Sequence, residues 1–166
     1  NGMTEFPDGS LSEGTRVYYL QSLDLTFNKL SKLPKEFNAT RLPYLYGVDM
    51  SYNRFTKCPE GPLNVDHLVV YGLRNQRDEQ GNRILSEWPT GISNCPSLRA
   101  LYLGGNDLRK ITDTISYLIY MLEVRDNPNI QLDVSAVCAY IKAGRYILIY
   151  DSSQDIRGCD YLDLDK

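Results

Sequence analysis

The sequence is poor in the groups that most enzyme sites need. Its 166 residues include one histidine, His67, and one tryptophan, Trp88. One imidazole leaves no multi-histidine metal centre and a single place for histidine-based catalysis. Four cysteines, Cys58, Cys95, Cys138 and Cys159, contain no CxxC pair, so a zinc ribbon or thioredoxin-type site is excluded. They are also too sparse for a disulfide scaffold. No GxSxG, HExxH, P-loop or dinucleotide fingerprint occurs, and no cofactor or metal site is read from the chain. Lys and Arg total 18 against 21 Asp and Glu, for a net charge of −3. That balance, with no basic stripe, argues against a nucleic-acid partner. No apolar run approaches the roughly 20 residues of a membrane span.

The chain does have a globular balance, 42% hydrophobic and 23% charged residues, and thirteen tyrosines. It is also self-similar, which decides the architecture. Written against L-x-x-L-x-L-x-x-N-x-L, Leu20, Leu23, Leu25, Asn28 and Leu30 fit without a gap. So do Leu45, Val48, Met50, Asn53 and Phe55, and again Leu98, Leu101, Leu103, Asn106 and Leu108. Ile119, Leu122, Val124, Asn127 and, one residue late, Ile130 give a further copy. A weaker copy is read at Val65, Leu68 and Val70, with Leu73 in the asparagine slot. First apolar positions then step by 25, 20, 33 and 21 residues, the long step holding a polar insertion over about 74–84.

These residues resemble the leucine-rich-repeat family over nearly the whole chain. The Leu33-Pro34 and Cys58-Pro59 endings and the charged insertion are similar to secreted or surface-anchored bacterial members. The resemblance implies an α/β solenoid, a horseshoe segment with a parallel β-sheet on its concave face. It also implies an extracellular or cell-surface setting. Physics points the same way: a short strand cannot bury its inward residues alone, and stacked neighbours close a continuous core. Asn28, Asn53, Asn106 and Asn127 are expected to be structural, pairing backbone groups where the chain leaves each strand.

The reading divides the chain into repeats over 1–132 and a C-terminal cap over 133–166. The cap is expected to hold a helix over about 134–143, a strand over about 146–150 and an acidic tail. Asp133 is placed to open the helix and Gly144 to end it. Ile147 and Ile149 are assigned to inward slots and Leu148 to an outward one. Cys138 and Cys159 flank this apolar run, and both a bridge and free thiols remain open. At the other end, Asn1, Met3 and Phe6-Pro7 match the second half of a repeat, so the chain is expected to start inside one.

Inward slots make the fold, which leaves the intervening ones to meet a ligand. One outward column is read as Asp24, Asp49, Val69, Tyr102 and Glu123. The next is Thr26, Ser51, Tyr71, Gly104, Arg125 and Tyr150, and the one on the other side is Ser22, Gly47, His67, Ala100, Met121 and Tyr146. Tyrosine joins a large apolar face to a polar tip, which suits recognition. Candidate ligand-binding residues are therefore Asp24, Thr26, Asp49, Ser51, His67, Val69, Tyr71, Tyr102, Glu123 and Arg125. The expected function is non-catalytic binding of a protein, peptide or glycan by the C-terminal piece of a longer surface protein. A structural spacer comes second and an enzyme third. An enzyme would rest on His67 beside Tyr71 and Asp49, or on the carboxylate pair Asp24 and Asp49. If the first repeat is cut, its apolar edge should drive self-association. Light scattering across a concentration series should then show mass rising; a constant monomer mass would refute this.

Overall fold

The computed structural model describes residues 2–7, 9–11, 16–92 and 95–163. Each repeat contributes a three-residue strand. In chain order the elements are β1 (Ser22–Asp24), β2 (Gly47–Asp49), α1 (Glu60–Leu63), β3 (Val70–Gly72), β4 (Ala100–Tyr102) and β5 (Met121–Glu123). They continue with β6 (Gln131–Asp133), α2 (Cys138–Lys142), β7 (Ile147–Ile149), β8 (Asp155–Arg157) and α3 (Asp160–Asp163). Strands β1 to β5 and β7 form one six-stranded parallel sheet in chain order, and β6 pairs with β8 in a second. This is an α/β solenoid, with the larger sheet on its concave face and one continuous core behind it.

Strands are this short because only one residue of each triplet turns inward. Pairing sets Leu23, Val48, Tyr71, Leu101, Leu122 and Leu148 in one row. From Val48 to Leu122 that row is buried, and Leu23 and Leu148 pack on the core from the two ends. Two residues later a second row turns in, including Leu25, Met50, Leu73, Leu103 and Val124, all buried.

A row of side-chain amides links successive coils where the chain leaves each strand. Asn53 Nδ2 donates to the carbonyls of Leu25 at 2.8 Å and Met50 at 3.0 Å, and its Oδ1 accepts the Leu30 N–H at 3.0 Å. Asn106 bridges Leu73 and Leu103 in the same way and accepts the Gln76 N–H at 2.9 Å. Asn127 bridges Leu103 and Val124. Asn28 donates to its own turn and accepts the Met3 N–H at 3.1 Å. Met3 thus sits against Asn28 as Leu30 sits against Asn53, while Asn1 lies outside the described residues.

The third repeat is corrected by three residues. Its inward residues are Leu68, Tyr71 and Leu73, all fully buried, and Gln76 occupies the asparagine slot. Gln76 Nε2 donates to Met50 and Arg74 carbonyls at 2.9 Å each, and its Oε1 accepts the Phe55 N–H at 2.9 Å. Tyr71 is therefore core, not concave surface. Its ring crosses the coil, where its hydroxyl donates to the Pro59 carbonyl and accepts from the Cys58 thiol, both at 3.3 Å. The insertion shrinks to the stretch between Gln76 and Leu85, a hairpin whose Arg77 and Arg83 face each other. Asp78 is spent inside it, accepting the Gln80 and Asn82 N–H groups.

The C-terminal region departs in detail. The expected helix is a 3-10 turn, Ser135–Val137, followed by α2. Asp133 accepts the Ser135 N–H at 2.8 Å, and Gly144, at φ +71°, ends α2. The Arg145 N–H returning to the Tyr140 carbonyl at 2.8 Å completes that stop. The last strand is shifted by one residue: Leu148 turns toward the core and Ile147 is exposed. Tyr150 also packs on the core and Tyr146 is buried, so neither lies on the outward face. Cys138 and Cys159 are joined in a disulfide, tying α2 to the end of the chain. Residues 164–166 of the acidic tail lie outside the described residues.

Two substitutions separate these roles. Asn53→Ala leaves backbone groups of two repeats unpaired and should cost about 1–3 kcal/mol. Tyr71→Ala empties a core position and should cost about 3–5 kcal/mol. Denaturant titration reads both; wild-type stability for either variant would refute its assignment.

Candidate functional site

The pairing register fixes which side chains share the concave face. One column is Ser22, Gly47, Val70, Ala100, Met121 and Ile147, and the next is Asp24, Asp49, Gly72, Tyr102, Glu123 and Ile149. Backbone hydrogen bonds beyond the strands add Thr26, Ser51, Arg74, Gly104 and Arg125 as a third column. Of the expected ligand-binding residues, Asp24, Thr26, Asp49, Ser51, Tyr102, Glu123 and Arg125 fall on this face. His67, Val69 and Tyr71 do not, and Val70, Gly72 and Arg74 hold their places. His67 is exposed before β3 while Tyr71 is buried, so the two do not form a site together. Gln76 could have revealed the register, because glutamine carries the same amide as asparagine and stands three residues after Leu73.

Arg74 is the largest gain from the corrected register. Its Nε donates to Glu123 Oε1 at 2.8 Å, reaching across β4, and its guanidinium lies 4.5 Å from the Tyr102 ring centroid. Glu123 is 3% exposed, and its Oε2 is buried without a hydrogen-bond partner. Gly104 makes room for it: a Cβ there would lie 2.4 Å from the Glu123 carboxylate. Arg125 stands 4.0 Å from the same carboxylate. Tyr102 donates its hydroxyl to the Met121 sulfur at 3.0 Å.

The other end of the face is acidic. Asp24 and Asp49 are register partners on adjacent strands. Asp24 Oδ1 accepts from the Thr26 hydroxyl at 2.7 Å and the Thr26 N–H at 2.9 Å, which hold its carboxyl below the usual range. Asp49 Oδ1 accepts the Ser51 N–H at 3.0 Å. Among the described residues neither aspartate has an ion-pair partner within 4.0 Å. Between these ends lies a depression of about 310 Å³ lined by Ser22, Asp24, Tyr46, Gly47, Asp49, Val70, Gly72, Arg74 and Tyr102, among others.

Phe27 and Tyr52 lie at the rim, one residue past the third column. Both have left-handed backbone, φ 59° and 60°, and both are exposed. The equivalent residues of the next three repeats are Asn75, Gly105 and Asp126, types that accept this conformation more readily. A bulky side chain there costs of order 1–3 kcal/mol. The two rings stack with centroids 4.3 Å apart, which returns about 0.5–1.5 kcal/mol. Two strained residues share that one return, so the pair is not explained by stability.

The thiols are quiet. Burial pushes Cys58 up to about 12, against the smaller opposing effect of the Tyr71 hydroxyl. Burial also raises Cys95. Neither has the depressed ionisation of a reactive cysteine.

The register, the amide ladder and the concave sheet define a known class: the chain belongs to the leucine-rich-repeat family. The Leucine Rich Repeat family pattern matches residues 19–39. A crystal structure of a leucine-rich repeat protein from Bacteroides thetaiotaomicron is similar at 50% identity and a TM-score of 0.93, covering 100% of this chain and 20% of that one. Another from Bacteroides eggerthii is similar at 55% identity and a TM-score of 0.91, covering 99% of this chain and 28% of that one. The chain therefore spans about a fifth to just over a quarter of these relatives. Comparison with curated proteins finds no match. Members of this family are generally binding scaffolds rather than catalysts. Among the described residues, no helix is long and apolar enough to cross a membrane.

Arg74→Ala strands the buried Glu123 carboxylate and should lower stability by about 3 kcal/mol. Arg125→Ala should change it by less than about 0.5 kcal/mol. Equal effects in thermal melts would show that Glu123 does not depend on Arg74.

Proposed function

We propose that the chain is a non-catalytic recognition module that binds a protein, peptide or glycan through its concave face. The carrying observation is that this face collects charge and aromatic surface that packing does not use. Asp24 and Asp49 lack ion-pair partners among the described residues. Tyr46, at 47% exposure, walls the same depression. Residues 1–132 are the recognition array and 133–166 its seal. The setting is outside the cell or on its surface, which the Cys138–Cys159 disulfide supports, since such bridges persist in oxidising compartments. The chain acts as a piece of a longer surface protein, a reading supported by the greater length of its relatives. Self-association through the first coil belongs to the same proposal.

A spacer role is the second reading, favoured by the fraction of each relative that this chain covers. Capture experiments separate the two. Asp49→Asn with Tyr46→Ala should abolish retention of the native partner from the source cells' surface fraction, with an unchanged melting midpoint. A spacer would lose no interaction in that variant, and that result would overturn recognition by this face.

A further inference from the structure

The depression between β1 and β4 has a chemical character that narrows its occupant. Gly47 forms part of its floor, and the fold does not require glycine there. Its φ is not in the left-handed region, and an added Cβ would meet nothing closer than 3.9 Å. Glycine within a strand weakens it, so this position gives up stability and leaves space. Gly72 acts differently: a Cβ there would lie 2.7 Å from Asp49 Oδ1, so the missing side chain lets that carboxylate lie across the floor.

Charge then selects among the molecules that would fit. Asp24 and Asp49 each commit Oδ1 to their own turn, and no described residue donates to either Oδ2. Asp24 and Asp49 are register partners on strands about 4.8 Å apart, so their like charges repel each other, and among the described residues no ion pair offsets that. Arg74 lines the same depression, but its Nε is engaged by Glu123 and its plane lies on Tyr102. The basic group of the site is thus already matched, and the acidic pair is not. Tyr46 and Val70 supply apolar surface for an aliphatic stem beside those carboxylates.

We propose that this depression seats a basic side chain, arginine or lysine, presented by a protein partner. The inference rests on concave-face recognition and names the chemistry that the face reads. A neutral glycan would leave the paired charges of Asp24 and Asp49 unmet, and a divalent cation would have only these two carboxylates. The stem lies along Tyr46 and Val70, and the cationic head takes the two free Oδ2 atoms.

Amide chemical shifts of the whole chain, titrated with blocked hexapeptides differing only in a central Arg, Lys or citrulline, test this. The Arg and Lys peptides should shift Gly47, Asp49 and Gly72, weaken as salt rises, and bind at least tenfold more tightly than the citrulline peptide. Gly47→Val and the double variant Asp24→Asn, Asp49→Asn should each lose at least tenfold in affinity while melting no lower than wild type. Equal binding of the citrulline peptide, or no shift at these amides with millimolar Arg peptide, overturns the inference. If maltohexaose shifts the same amides and the basic peptides do not, a basic occupant is overturned and concave-face recognition stands. If the peptides shift only residues outside the sheet, both fail.

Discussion

Everything in this structure depends on one side-chain amide per coil. A leucine-rich coil leaves the strand through a tight turn, and that turn buries carbonyl and N–H groups that the sheet cannot reach. Asn53, Gln76, Asn106 and Asn127 answer donors and acceptors from two coils at once. Gln154 repeats the device at the last turn, donating to Val124 at 2.7 Å and accepting the Asp151 N–H at 2.8 Å. Hydrophobic burial supplies most of the stabilisation, but it would tolerate many stackings. The amides admit one, because each needs its neighbour at a fixed height and rotation.

With turn and core settled in this way, the outward residues of the sheet are released from structural duty. Several of them are choices that the scaffold would not make for its own sake. Gly47 forgoes strand stability, Phe27 and Tyr52 occupy a backbone region better suited to Asn or Gly, and Asp24 faces Asp49 with no ion-pair partner among the described residues. These features fall within the first two repeats. The opposite end of the face is internally satisfied by Arg74, Glu123 and Tyr102. A surface with one self-contained end and one unmet end is asymmetric, which is what orients a bound chain.

The family and the architecture were legible because leucine and asparagine recur at fixed offsets in Leu20–Asn28, Leu45–Asn53, Leu98–Asn106 and Ile119–Asn127. The third repeat was not, because Val65, Leu68 and Val70 reproduce the same apolar spacing three residues early. Periodicity cannot separate two overlapping apolar triplets; the amide of Gln76 can, since only one of the two frames gives it carbonyls to bridge. That single slip moved Tyr71 from core to surface and hid Arg74, so most of the site was visible and its basic component was not. The last strand misled for a related reason. Ile147 and Ile149 look inward by hydrophobicity, yet register with β5 turns Leu148 in. An end coil has one fewer neighbour to cover its outer surface, and apolar residues there no longer report direction reliably.

The hydrogen bonds of the large sheet run along the solenoid axis, from coil to coil. Tension applied between the two ends therefore loads them in series, and each strand peels from the next rather than shearing past it. Such a coil yields one repeat at a time, since each contacts only its neighbours. The Cys138–Cys159 bridge exempts the final coil, because its 21-residue span cannot lengthen until the bond is broken. As part of a longer chain under load, the array would pay out length in steps from its unbridged side and keep its last coil closed.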